Sequence, residues 1–475
     1  MTLEAAAAIA ANRFGLGARP GDLPGIGSDP RGWLRTQLRG GAPLLASDAL
    51  PSTAQILAGV EPILAERRAA RRLRPESTPD AAAAPGEAAA TAAVAMRLPQ
   101  YLRPIYISDS RARWRAAIDS DRPLAERLVH FWSNHFAVSV DKLAVLGIAG
   151  SFEREAIRPH VMGRFHELLL AVETHPAMLL YLDNQQSVGP NSQLARRAAG
   201  RGRAIGLNEN LAREILELHT LGVDGGYTQA DVTSFAKVLT GWSLGGGQGR
   251  LARGATGTFV FRPNVHEPGA QTVLRKRYAE DDQAQGLAVL ADLALAPATA
   301  HHIAVKLARH FIADDPPAAA VESIARAFEH SGGDLPVVYA ALIDSPRAWD
   351  EPTAKFKTPQ DYLFSLGRGL ELPPESEPRL MSAFDLLGQR QFSPGSPAGW
   401  PDRSSDWDGA SALMKRIELS DAVAQKLGDR RDAMQLAPQL LGGTLTEATR
   451  QSIARAASPA QALALLLTAP EFMRR

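Results

Sequence analysis

Along most of the chain, apolar residues recur at the three-and-four spacing of an amphipathic helix rather than in strict alternation. The clearest stretch is 208–242, NENLAREILELHTLGVDGGYTQADVTSFAKVLTGW. Asn208 carries an N-cap side chain, residues 209–221 keep a helical period, and Gly222 ends it. Asp224, Gly225 and Gly226 make a turn. Thr228 then caps a second helix, with Asp231 three residues on in the place a capping box usually gives to Glu. That helix runs to Thr240, and Gly241 closes it. The pattern predicts a helical hairpin with a glycine-rich elbow.

Projected at about 100° per residue, Glu209, Arg213, Glu217 and Thr220 share one side of the first helix, and Leu211, Ile215 and Leu218 the other. His219 falls on the apolar side, which predicts a core histidine held by a hydrogen bond. Asn210 and Glu214 lie at the edge of the polar arc. Two readings of this face stay open. It is an i,i+4 charge ladder, or Asn210, Glu214 and Glu217 line a cleft and do acid–base or metal work.

The same projection sorts three further stretches. In LAERLVHFWSNHF, 124–136, His135 lies inside the apolar arc with Leu128, Phe131, Trp132 and Phe136, so a buried and hydrogen-bonded ring is expected. His130 and Asn134 fall on the polar side with Arg127, which places His130 at the surface. The two histidines diverge by about 140°, a poor arrangement for chelation. Residues 301–312 carry one polar stripe of His302, Lys306, Arg309 and His310, read as a solvated face, with anion binding by Lys306 as the alternative. Residues 388–407 are a long irregular loop with Gln389, Gln391, Trp400, Asp402 and Trp407. Such a loop either plugs the core or stacks on a ligand such as a sugar ring. It makes Gln389, Trp400 and Trp407 candidate substrate contacts beside Lys306.

Strand signals are few. Thr258, Phe259, Val260 and Phe261 form the best one, and His266 beside Glu267 on the following loop is a functional candidate. The fold class expected is mainly α: one large multi-helix globular domain over 1–475, with at most a minor β-hairpin near Phe259. Residues 74–93 are low in complexity and lack aromatics, and are expected to be a mobile insert within that domain.

Composition narrows the function classes. The chain has 475 residues, 45% hydrophobic, which suffices for a large core. Net charge is +1, so nothing points to nucleic acid or an anionic membrane. With no cysteine, disulfides, thiolate metal sites and a cysteine nucleophile are excluded. No run reaches the roughly 18 apolar residues of a membrane span. The N-terminal alanine run lacks a basic leader region, so the chain as written reads as cytoplasmic, or as exported if its start codon is mis-called. There is no GxSxG, HExxH or P-loop, and no motif specifies a cofactor or a metal.

The central block, with NRFGLGARPGD near the start, LVHFWSNHF, FVFRPNVHEPGAQTVL, KLARHF and LGQRQFSPGSPAGWP in the same order, resembles the bacterial domain-of-unknown-function 1800 family. The resemblance covers almost the whole chain. It implies no established activity; it implies frequent export and a sulfatase-like partner protein encoded nearby. Two functions of different class follow. One is an enzyme whose cleft is lined by Asn210, Glu214, Glu217, His266 and His135 under the Trp400 loop, acting by acid–base or metal-assisted chemistry on a polar, sugar-like substrate. The other is a non-catalytic helical scaffold or partner. Convergence of the named groups on one concave surface favours the first.

Overall fold

Helix caps written into the sequence account for much of the architecture. Thr2, Asp29, Ser192, Thr228, Asp334, Thr358, Asp432, Thr446 and Ser458 each accept a backbone N–H in the first turn of a helix. Proline follows the cap in several of them, where its missing N–H costs nothing. The computed structural model of the chain describes residues 2–45, 49–72, 85–202, 206–246, 253–350, 355–374 and 377–475. It is 63% helical. The mainly α class is therefore what the chain adopts.

Two small antiparallel ladders are the sheet structure among the described residues. Trp242–Leu244 pairs with Phe259–Phe261, and Gln271–Val273 with Lys276–Tyr278. The first lies where the strand signal at Phe259 put it. The second is held against the central hairpin by Asp231, whose carboxylate accepts the Leu274 amide at 2.7 Å. Of the expected insert at 74–93, residues 74–84 lie outside the described residues; from Pro85 the chain is already in the helix Pro85–Asp119.

The central hairpin forms with one refinement. Its first helix is α from Asn210 to Glu214 and then widens to a π-turn over Ile215–His219. Asn208 does not cap by the N3 amide. Its Oδ1 accepts from Asn210 N at 2.9 Å, while its Nδ2 reaches the carbonyls of Leu182 and Asp183. The Thr228–Asp231 box is reciprocal, at 3.2 and 2.8 Å. Gly222 and Gly241 both hold φ near +90°, where a Cβ would strain the turn.

Two hydrophobic clusters make the core. The larger draws on residues 6–349 and includes Phe14, Trp132, Phe136, Phe165, Trp242 and Phe311. The smaller joins Leu16 and Trp114 to the C-terminal helices through Tyr362, Phe364, Phe384, Leu466 and Phe472. Helix Pro123–His135 is buried on almost all sides. Trp132 there donates to the Tyr339 hydroxyl at 2.6 Å, which donates to the Val161 carbonyl at 2.9 Å. No single helix among the described residues is long and apolar enough to cross a membrane. The one pair that passes together, Asp282–Ala294 and Pro297–Phe311, is bent by 60°.

Candidate functional site

The two clusters do not close completely on one another. Between them lies a cavity of about 380 Å³. Its walls are helix Pro123–His135, helix Pro297–Phe311, the first turn of helix Pro359–Gly369 and the loop 388–407. Leu16, Phe131, Phe152, Phe392 and Trp400 contribute much of the apolar surface, and Arg113, Arg127, Glu153, Lys306, Asp361 and Asp402 bring charge to the lining.

Three π-turns deliver groups to this wall. Ala10–Phe14 leads into Leu16 and presents the Gly15 carbonyl, which accepts from Arg127 Nε at 2.5 Å. Glu153–Ile157 places the Glu153 carboxylate. Ile215–His219 brings Leu218 to the lining, and its carbonyl accepts from His302 Nε2 at 3.2 Å. A π-turn shifts the following side chains by one residue round the helix, which is why such turns recur at binding sites.

Most of the wall's charge is neutralised within the protein. Glu153 accepts from Arg113 at 2.7 Å, from Arg158 at 2.9 Å and from Ser133 at 2.9 Å. Burial opposes its ionisation, but Arg113 and Arg158 outweigh burial and lower its pKa. Asp361 lies between Arg127 Nη1 at 3.1 Å and Arg475 Nε at 2.9 Å, and these two overcome burial to hold its carboxyl far below the usual range. Asp402 accepts from His310 Nδ1 at 2.9 Å, with Lys355 Nζ 3.7 Å away. On its other ring nitrogen, Nε2, His310 accepts from Arg127 at 3.3 Å. Both nitrogens being so engaged, the ring is neutral, and burial holds its pKa at about 4. His302 is likewise held at about 4, by burial first and then by Lys306.

Lys306 is the exception. Its side chain lines the cavity and has no hydrogen bond or ion pair among the described residues. Burial lowers its pKa to about 8; Asp402 opposes that shift and Arg309 adds to it. The buried histidines are also incompletely partnered. Neither nitrogen of His130 is hydrogen-bonded among the described residues, nor is Nδ1 of His135. No group of three or more His, Cys, Asp or Glu among the described residues is arranged to hold a metal ion.

Of the residues singled out from the sequence, His135, Lys306, Trp400 and Gln389 meet at this cavity. His135 is buried and donates Nε2–H to the His219 carbonyl at 3.2 Å, packed by Phe131, Trp132 and Phe136. The Gln389 side chain accepts from the Gln360 amide at 2.8 Å. Trp407 lies behind the lining, its ring 6.1 Å from that of Trp400 and its Nε1 donating to Pro401 O at 3.0 Å. Asn210, Glu214, Glu217 and His266 are not among the lining residues. Asn210 is exposed. Glu217 accepts from Tyr227 at 3.2 Å. Glu214 is half-buried, and burial raises its pKa despite nearby His219. His266 is buried, its Nδ1 donating to Thr240 O at 2.8 Å. His219 is a core histidine as expected, donating to Glu173 at 2.7 Å.

Two expectations need correcting. His130 is not at the surface: it is buried, its ring 4.8 Å from Phe364. The smaller cluster packs over that side of the helix, which a projection of one helix cannot foresee. Nor is the stripe His302, Lys306, His310 a solvated face; it faces the cavity, because the loop 388–407 folds across it. Asn134 fixes that loop with a two-point clamp, donating to Trp400 O at 2.9 Å and accepting from Trp400 N at 2.7 Å.

The family's sequence pattern matches residues 9–474. The chain belongs to the DUF1800 family of proteins of unknown function. That match includes every residue of the cavity wall. No curated protein and no solved structure matches this family member.

Proposed function

We propose that the cavity is an active site for a small, polar, anionic ligand, and that Lys306 is its acid–base group. The observation that carries the reading is the Lys306 amine: it faces the cavity without an acceptor among the described residues, while Glu153, Asp361 and Asp402 already lie beside arginine or lysine cations. Arg309 adds a second positive side chain, whose one hydrogen bond among the described residues is to the Asp314 carbonyl at 3.3 Å. An anion is the ligand that completes such a wall. The volume lies at the lower end of the range of small-molecule sites. Trp400 on the loop supplies an apolar plate of the kind that stacks on a sugar ring. A pKa near 8 lets Lys306 exchange a proton close to neutral pH.

In this reading His135, Lys306, Trp400 and Gln389 serve the ligand, with Trp407 backing Trp400. Glu217 and His266 bond to Tyr227 and the Thr240 carbonyl of the central hairpin, and Asn210 and Glu214 stand outside the cavity. The competing reading, a helical partner of a sulfatase-like protein, is favoured by one feature: Met414 and Ile417 are exposed one turn apart on helix Ala410–Leu427. That face is small beside the patches that mark partner sites.

The test is a melting-temperature titration with inorganic sulfate, phosphate and a sugar acid such as glucuronate. The active-site reading expects a saturable rise that Lys306→Met removes and Trp400→Ala weakens for glucuronate. A rise that persists in Lys306→Met places the anion elsewhere and rejects the reading.

A further inference from the structure

We infer that Lys306 is a covalent nucleophile that forms an imine with an acid-bearing carbonyl compound, such as a 2-oxo acid or the open-chain form of a sugar acid. The inference rests on the ligand site proposed above and names its chemistry. A lysine kept only to hold an anion works best fully charged beside a carboxylate. Lys306 is half-buried on the cavity wall instead. It has no acceptor among the described residues, and the cation next to it on the same helix, Arg309, weakens its own hold on a proton. Burial together with a neighbouring cation is the arrangement that frees a lysine amine for attack on carbonyl carbon.

Relative to an ordinary lysine, a pKa of about 8 raises the unprotonated fraction at neutral pH by about two orders of magnitude. The surroundings suit the step. His302 and His310 stand one turn before and one turn after Lys306, and both rings are neutral at pH 7 and compete for no proton. Arg309 in the same wall, with no carboxylate partner among the described residues, is placed to take the acid group of the ligand, whereas Arg403 is already paired with Asp315 at 2.9 Å.

The step balances without an outside oxidant or reductant. The amine lone pair forms the C–N bond while the carbonyl electrons move onto oxygen, which takes up a proton as nitrogen loses one. The resulting hydroxyl leaves as water when the C=N bond forms. Amine and carbonyl become imine and water, and the step reverses on hydrolysis.

The experiment incubates the full chain with pyruvate or glyoxylate and sodium cyanoborohydride, then maps modified lysines by mass spectrometry. We expect Lys306 to be modified at least about tenfold faster than exposed Lys426, consistent with its larger free-amine fraction. Lys306→Arg should abolish the fast phase, and Lys426→Arg should leave it. If Lys306→Arg does not fold, the ratio of Lys306 to Lys426 in the parent decides alone. Equal modification of the two lysines, or none at Lys306, overturns the inference. If sulfate still raises the melting temperature through Lys306, the ligand site stands and only the covalent step falls; if that rise is absent too, both fall.

Discussion

At the scale of single residues, the molecule separates paired charge from unpaired charge. Glu153 and Asp361 are buried, Asp402 is half-buried, and each lies beside cations. Lys306 is not so matched, and neither is Glu214, whose pKa is raised by burial. A raised carboxyl pKa contributes stability below the unfolded pKa that is lost as pH rises through the folded one. At pH 7 the charged Glu214 is therefore a net liability. Glu214→Gln should hold or raise the melting temperature and leave the sulfate response intact; a lost response would return Glu214 to the ligand site. The histidines behave in the opposite sense. His302 and His310 titrate at about 4 in the fold against an ordinary value of about 6.5. Between those values the unfolded chain binds more protons, so stability falls as pH drops through the window from about 6.5 to about 4. Urea titrations at several pH values should show that slope. His302→Gln should make it shallower, and an unchanged slope would mean that His302 is not the buried, neutral ring described.

At the scale of elements, local signals were legible and the contacts between elements were not. Thr228 with Asp231, Thr358 with Pro359 and Ser458 with Pro459 fix their helices from within a few residues, so one sequence suffices to find them. His135 was legible for the same reason: its own helix surrounds it with aromatic rings. His130 was not, because Phe364 covers it from more than 200 positions away. The clamp between Asn134 and Trp400 spans a comparable gap, and a polar residue on a helix gives no hint of it. Gly399 shows how tightly that clamp is set. Its φ is +82°, and a Cβ there would lie 2.3 Å from the Asn134 carbonyl oxygen. Gly399→Ala should cost about 1–3 kcal/mol by strain alone and should weaken glucuronate binding by moving Trp400. A variant with parental stability and binding would show that the loop is not held there. Tyr339→Phe tests a contact of the other kind. It strands the Trp132 N–H, and chemical denaturation should register a loss of about 1–3 kcal/mol.

At the scale of the whole molecule, the ionic seam joins the two hydrophobic clusters. Arg127 on a helix of the larger cluster reaches Asp361 on a helix of the smaller, and Arg475 joins Asp361 from the C-terminal segment, which itself pairs with Lys355 and Lys357. We expect the two clusters to unfold together for this reason. Asp361→Asn leaves two buried guanidinium groups without their carboxylate, a loss of about 3–5 kcal/mol. Calorimetry should show one transition displaced downward as a unit; two separated transitions would mean the clusters are independent. At the cavity the seam leaves Lys306 with neither a hydrogen bond nor an ion pair among the described residues. That amine is tested most directly by its own titration, followed by carbon-13 NMR after reductive methylation with labelled formaldehyde and assigned by the signal lost in Lys306→Arg. A midpoint near 8 that moves upward when sulfate is added is expected. A midpoint at the ordinary lysine value of about 10.5, unmoved by sulfate, would contradict it.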